Sequence, residues 1–511
     1  YQMDRFNFLT SNPSEQFVGG DFYKKLGKLD DAANDGVLFR PSDVCVGPDG
    51  AIYVADWYDG RVGGHATIDT SCSGAIYRIA PKGFISKVPA MDLETIKGQI
   101  TALSSPAVNV RHLGFTRLRD NKEKSLDAVV ALLDHPNKYV AARAIWLLPY
   151  LGEKGVAKAV ALLDDENAER RMVALRALRR AKVNILPYAK KLASDPSPAV
   201  RRDVALSLRH YTAAETADVF VELAKGYDGN DKNYVESIGL GATNKEEAIW
   251  KAIKASQPDS APEAWTDAFA KITWRLWPVS AVDDLKVRAL SSKLTGAQKE
   301  FAVESIAFIN DKKAAEAMLE IAASKSVAKA KASYWLLKRG TGEWSNFGIK
   351  DELKKRGIYD PSKIVVTQIT VAEAPKETKL PALEKILAMK GDAERGKAAI
   401  MRCAMCHNIN GVGPDYGPSL KGWGTLQAKE AIVKSILQPS FDIAHGYKGT
   451  EVITKDGKVV HGLAVPGDPL IITSTGGVTQ MIPRSMIKSK KFMKRSLMLA
   501  PEQLGLSAQD I

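Results

Sequence analysis

The chain has 511 residues, 45% of them hydrophobic and 26% charged, with a formal net charge of +13. That length is too great for one ordinary core and the balance is that of globular protein, so two to four domains are expected and wholesale disorder is excluded. No apolar run reaches the length of a bilayer span. The positive charge would suit an acidic partner or a nucleic acid. Lys and Arg are, however, spread along amphipathic helical segments rather than gathered with aromatics into a module, so no nucleic-acid partner is expected.

The chain opens Tyr-Gln-Met-Asp-Arg, without an initiator Met or a basic-then-apolar leader. We therefore expect either a leader already removed or a piece of a longer polypeptide.

Residues 1–92 read as β structure. Pro41 to Val46 forms a strand candidate, Pro48-Asp49-Gly50 a turn, Ala51 to Ala55 a second strand, and Gly74 to Ile79 a third. This strand and turn order resembles a β-propeller blade. At about 40–50 residues per blade the segment holds two at most, whereas a propeller closes with about four to eight. The expectation is a partial β-propeller, completed by a preceding segment or another chain. Cys45 and Cys72 could pair as a disulfide in an oxidising compartment, or remain two buried thiols.

Residues 93–361 read as a stack of helices. From about Ala102 to Arg209 the pattern repeats every ~30 residues. Leu118, Leu148, Leu178 and Leu208 fall at one phase, and Gly114, Ala144 and Ala174 at another, where small residues let paired helices approach closely. Pro106, Pro136 and Pro196 mark the turns. This resembles an α-solenoid of short HEAT repeats, each helix pair burying its apolar stripe against its neighbours. The register blurs after Thr212, yet helices continue to about Gly340, and Thr295 with Gln298 supplies a capping box. Residues 362–381 break the pattern, with a β-like run from Ile364 to Val371 and then a polar, Pro-containing linker.

Residues 382–511 carry the clearest chemistry. Cys403-Ala404-Met405-Cys406-His407 has the spacing of c-type haem attachment. Two thiols on one turn reach both vinyl groups of the porphyrin, and the next residue offers imidazole to the iron. A zinc site would want four ligands, and the domain holds no other cysteine. The helix opening at Gly391 to Lys397, then Gly411-Val412-Gly413 and Gly417-Pro418-Ser419-Leu420, make residues 391–424 similar to a class I cytochrome c domain. That resemblance implies one covalent haem c on Cys403 and Cys406, His407 on the iron, and the Pro418 carbonyl holding the other nitrogen of the imidazole.

For the opposite face of the iron the candidates are Met481, Met486, Met493, Met498, His445 and His461. Ser496-Leu497-Met498 resembles the family's axial methionine segment, so Met498 is expected there, with Met493 the nearest rival and the two histidines on the surface. Before it lie two expected hairpins, Thr450–Thr454 with Val459–Val465 around Asp456-Gly457, and Leu470–Thr473 with Val478–Ile482. Gly505 to Ile511 reads as the start of a final helix. Lys488, Lys490, Lys491, Lys494 and Arg495 form either a solvated loop or a positive rim that steers an acidic redox partner.

The order of modules resembles the large haem-containing dehydrogenase-type proteins of planctomycetes. The resemblance is carried by Phe39-Arg40-Pro41-Ser42-Asp43-Val44, Gly47-Pro48-Asp49-Gly50, Ala55-Asp56-Trp57-Tyr58-Asp59 and Val62-Gly63-Gly64-His65. It implies a propeller that oxidises an organic substrate, with pyrroloquinoline quinone as its cofactor, and passes electrons to the haem. Asp56, Asp59, Arg61 and His65 are the polar residues to place near such a site, the alternative being a well-bonded loop of a blade. Covalent haem implies a periplasmic or extracellular protein. The expected function is an electron-transfer module of an exported sugar, alcohol or aldehyde dehydrogenase, against a HEAT-repeat interaction scaffold in a haem-containing assembly, or a peroxidase.

Overall fold

The computed structural model describes residue 9 and residues 41–57, 74–375 and 377–511. The described residues are mainly helical and carry two small antiparallel sheets, and the chain divides into compact units Tyr1–Lys245 and Glu246–Ile511. No helix among the described residues is long and apolar enough to cross a membrane.

The first unit opens with a meander of β1 (Pro41–Val46), β2 (Ile52–Asp56) and β3 (Ala75–Ile79), paired in that order. The expected Pro48-Asp49-Gly50 turn joins the first two. Asp49 fastens it by accepting from the Ala51 N–H at 3.0 Å, the Tyr53 hydroxyl at 3.2 Å and Ser86 Oγ at 2.8 Å. Gly50 takes a φ of 88°, which a side chain would resist. β1 is exposed along its whole length and Ile76 on β3 is 76% exposed.

Helices follow in stacked pairs, among them α1 (Ile96–Ser104), α2 (Val108–Asp120), α3 (Lys138–Leu147), α4 (Ala168–Arg180) and α5 (Pro198–Ser207). Leu118, Leu148, Leu178 and Leu208 are all fully buried, as the periodicity requires. Gly114 shows why small residues recur at the second phase: a Cβ there would lie 2.4 Å from the Leu103 backbone nitrogen on α1.

A polar ladder runs beside the apolar one. Arg111 donates to the Pro106 carbonyl at 2.7 Å, Arg171 to the carbonyls of Asp165 and Glu166, and Arg201 to those of Asp195 and Pro196. Arg171 also grips Asp195 of the next repeat through two bonds of 2.8 Å, both side chains being largely buried. Each guanidinium thus closes the turn before its own helix, and two of the three reach into the following repeat.

The second unit has its own packed helices, among them α6 (Asp267–Leu276), α7 (Gly296–Ala307) and α8 (Lys329–Gly340). The expected capping box opens α7, Thr295 and Gln298 exchanging side-chain and backbone bonds. The fully buried Trp344 donates its indole N–H to the Ile309 carbonyl at 3.1 Å. An aromatic row crosses the three helices, with Trp274 6.0 Å from Phe308 and Phe308 5.6 Å from Trp335. Trp277, held in the left-handed region with φ 50°, stacks on Phe308 and is 44% exposed.

The C-terminal sheet has five strands in the order β7-β6-β5-β4-β8: β4 (Thr450–Thr454), β5 (Val459–Val465), β6 (Leu470–Thr473), β7 (Thr479–Ile482) and β8 (Ile487–Phe492). Both expected hairpins are present. The lysine-rich stretch before Met493 is not a loop: it forms β8, pairing with β4. The stretch 362–381, read as a linker after its β-like run, carries its first half on this sheet. Ile369 bridges Val460 in parallel, and Val366 is buried with Val452, Val460, Leu470, Ile472 and Ile482.

Replacing Arg171 by Ala would leave the Asp195 carboxylate buried without its cation. Loss of about 3–5 kcal/mol is expected, read as a lower denaturant midpoint of the transition reporting the first unit.

Candidate functional site

The site begins on a short helix, α9 (Ala393–Ala399), where Asp392 caps the first turn by accepting from the Arg395 N–H at 3.1 Å. A tighter turn, Ile400–Met405, continues it and carries Cys403. The Cys403 carbonyl accepts from the N–H groups of Cys406 and His407, at 3.0 and 2.9 Å. Two thiols and an imidazole thereby leave one turn of backbone together. Burial pushes both thiols up in pKa, with Cys403 adding to the effect at Cys406, so they are protonated at neutral pH.

His407 is oriented by one strong bond, its Nδ1 lying 2.6 Å from the Pro418 carbonyl oxygen. A carbonyl only accepts, so Nδ1 carries the proton and the lone pair of the neutral ring stands on Nε2. The loop supplying that carbonyl is pressed against the imidazole. A Cβ on Gly417 would lie 2.6 Å from the ring, and one on Gly413 would lie 2.3 Å from the His407 carbonyl oxygen. Gly413 also has a φ of 95°. Both positions demand glycine, and the Gly417 N–H completes the loop by donating to the Cys406 carbonyl at 2.6 Å.

Around Cys406 stands an apolar wall of Val371, Tyr416, Met493 and Leu497, with Leu463 and Leu499 packed against it. Met401, Met405 and Val412, around the attachment motif, are each about half exposed. Burial raises the Tyr416 pKa, the Thr475 side chain beside the hydroxyl opposing the rise. That hydroxyl is buried and makes no hydrogen bond of good geometry. Among the described residues no three His, Cys, Asp or Glu side chains converge as metal ligands.

The structure separates the rival sulfurs. Met493, just past β8, is buried in the wall beside Cys406, whereas Met498 is half-buried beyond Leu497. Met481 lies on β7, and Met486, in the turn before β8, packs against the sheet core. His445 is exposed, as expected, but His461 is not a surface residue. It is buried on β5, where Nδ1 accepts from the Val371 N–H at 3.0 Å and Nε2 faces Glu451 at 3.2 Å. Both ring nitrogens are engaged, Nδ1 fastening the 364–373 stretch and Nε2 facing the neighbouring strand β4. Alternation along β5 put His461 on the face covered by that stretch, a packing partner remote in sequence.

The positive cluster is also reshaped. Lys491 pairs with Glu451 at 2.9 Å, and Arg495 turns inward to the carbonyls of Val371 and Ala372. Lys488, Lys490 and Lys494 remain exposed and make no ion pair among the described residues.

Where a final helix was expected, residues 501–511 form successive turns instead. They still close on α9: Arg395 pairs with Asp510 at 2.7 Å and donates to Ser507 Oγ, while Arg402 donates to the Gly505 carbonyl. Arg395 and Ser507 together hold the Asp510 carboxyl well below the usual carboxylate range. This contact escaped the sequence reading because its partners lie more than a hundred residues apart.

Of the propeller residues, Asp56 is buried at the end of β2, and Asp59, Arg61 and His65 lie outside the described residues. Cys45 is an exposed free thiol on β1, and Cys72 also lies outside the described residues.

Comparison with known proteins gives three findings. A family model for the NHL repeat matches residues 40–64. The cytochrome c-553-like protein of Synechocystis sp. is 46% identical over 50 residues, which is 10% of this chain and 45% of that protein. The chain thus spans under half the length of that curated relative. Among solved structures, the complex of CpcE and CpcF of phycocyanin lyase from Nostoc sp. PCC7120 aligns with 54% of this chain and 100% of its own. Its identity is 14% and its TM-score 0.18, too low to define a shared fold.

Two outcomes follow from these contacts. Because the Asp510 carboxyl is lowered in the folded state, its contribution is present above the ordinary carboxylate pKa and is lost only as pH falls through the lowered folded value. Amide exchange of residues 505–511 should stay slow at neutral and mildly acid pH and accelerate only below the usual carboxylate range. His461→Ala would strand the Val371 N–H and should cost about 1–3 kcal/mol, measured by denaturant unfolding of the C-terminal sheet.

Proposed function

We propose that this chain is an electron-transfer c-type cytochrome module of an exported, dehydrogenase-like oxidoreductase. The observation that carries the reading is the bond from His407 Nδ1 to the Pro418 carbonyl at 2.6 Å, which leaves the ring's lone pair on Nε2 in the residue that follows Cys406. The 50-residue likeness to a cytochrome c-553-like protein supports it. The surroundings fit a haem in three further respects. The glycines at 413 and 417 clear space against the histidine, half-exposed apolar side chains flank the motif, and a buried Tyr416 hydroxyl lacks a well-formed partner.

In this reading Cys403 and Cys406 hold haem c as thioethers, and the haem would supply one-electron redox chemistry. His407 would ligate the iron through Nε2, its orientation and basicity fixed by the Pro418 carbonyl. Met498 would be the second protein ligand of the iron, with Met493, buried in the cluster against which Cys406 packs, as its rival. Val371, Tyr416 and Leu497 exclude water from this side, favouring the reduced, less charged state. Lys488, Lys490 and Lys494 would guide an acidic redox partner. The NHL-repeat match supports a propeller-type module, in which pyrroloquinoline quinone and an organic substrate would meet. Haem attachment would place the protein in the periplasm or outside the cell.

A second reading, an interaction scaffold, rests on the long helical stack and its aromatic row ending in the exposed Trp277. A stable complex surviving size-exclusion at low concentration would favour it.

The test is the denatured mass of the purified protein beside its reduced absorption spectrum. A mass one haem above the polypeptide with a c-type spectrum is expected; the bare polypeptide mass from a host that matures c-type cytochromes would overturn the reading. Met498→Ala should keep the covalent haem, lose the far-red thioether–iron band and bind carbon monoxide when reduced. The same result from Met493→Ala instead would move the ligand there.

A further inference from the structure

The five-stranded sheet is inserted between the loop that orients His407 and the proposed distal methionine, and one of its turns returns to that loop. Residues Ser474–Val478, joining β6 to β7, are anchored in the sheet at both ends. Ser474 Oγ donates to the His461 carbonyl at 2.8 Å, and the Ser474 N–H donates to the Val478 carbonyl at 2.8 Å. Gly476 and Gly477 take φ values of 78° and 77°, flattening the turn. A Cβ on Gly477 would touch Pro414 Cβ at 3.4 Å. Thr475 stands beside the Tyr416 hydroxyl, and the Gly476 N–H faces Cys406. Tyr416 itself is 4% exposed and packed with Met493 and Leu497.

The loop under this turn has fastenings of its own: the Gly417 N–H on the Cys406 carbonyl and the Leu420 N–H on the Asn408 carbonyl, at 2.6 and 3.0 Å, and the mutual backbone bonds of Ile409 and Val412 before it. Yet it must keep the Pro418 carbonyl within 2.6 Å of a ring nitrogen, and a small displacement would weaken a bond of that length.

We propose that the Ser474–Val478 turn is a brace for the haem-ligating histidine: lying beside Pro414 and Tyr416, it holds the 413–418 loop where the Pro418 carbonyl accepts a hydrogen bond from His407 Nδ1–H. This rests on the haem reading above and assigns the inserted sheet a role within it. Tyr416 and Gly477 are then positioning residues, acting on the iron through His407 rather than by contact with it.

The experiment uses the full-length holoprotein with Gly477→Val and Tyr416→Phe. Valine is β-branched and strained at a positive φ, so it lifts the turn from Pro414. Phenylalanine keeps the packed ring and removes only the hydroxyl beside Thr475. Both variants should retain the haem mass and c-type spectrum. Exchange of the His407 Nδ1 proton, followed by NMR in the reduced state, should accelerate about tenfold in Gly477→Val, the factor for losing one ordinary hydrogen bond. It should accelerate less in Tyr416→Phe, and the midpoint potential should shift in both. Unchanged exchange and potential in haem-loaded variants would overturn the brace while leaving the cytochrome assignment standing. Should Gly477→Val fail to fold, Tyr416→Phe decides by the same two readouts. Absence of covalent haem from the unsubstituted protein would overturn the underlying reading instead.

Discussion

The bond between His407 Nδ1 and the Pro418 carbonyl organises the C-terminal region. It fixes one tautomer of one ring, and the local sequence is arranged to permit it. Gly413 and Gly417 are there because a single methyl group at either would collide with His407. The Cys403 carbonyl gathers the N–H groups of Cys406 and His407, so the thiols and the imidazole emerge on the same turn. Even the C-terminal residues take part, since Arg395 and Arg402, on and just after α9, hold residues 505–510 against it.

The same economy of backbone anchoring governs the helical stack. There the arginine ladder does for the turns what Pro418 does for His407: a side chain or carbonyl fixes a neighbour that chain continuity alone would leave loose. In Arg171 the guanidinium serves both its own turn and Asp195 of the following repeat. Stability in such an array is carried between nearest neighbours, and this ion pair is one of the links.

What could be read in advance divides along the range of the interaction. The leucine and small-residue phases of the helical repeat, the Asp49 and Asp456 turns, both hairpins and the Cys403–His407 motif depend on spacings of a few residues, and each was legible. The arginine ladder was present at the same period, in Arg111, Arg171 and Arg201, but its meaning lay in backbone carbonyls that a sequence does not display. β8 was hidden by its lysines: as an edge strand it can carry charge on both faces, so its pattern resembles a loop. His461 was misplaced because the stretch that buries it lies ninety residues earlier.

That stretch redraws where the C-terminal domain physically begins. Composition changes near Leu380, yet Ile369 already closes the first half of β5, accepting from the His461 N–H and donating to the Val459 carbonyl. Val366 and Val371 fill the cores on either side of the sheet. A polypeptide cut at Leu380 would bare a strip of unpaired β5 backbone and the apolar side chains beneath it, a surface prone to self-association. Residues 364–371, which composition alone would treat as disposable tether, are thus part of the body that the sheet forms.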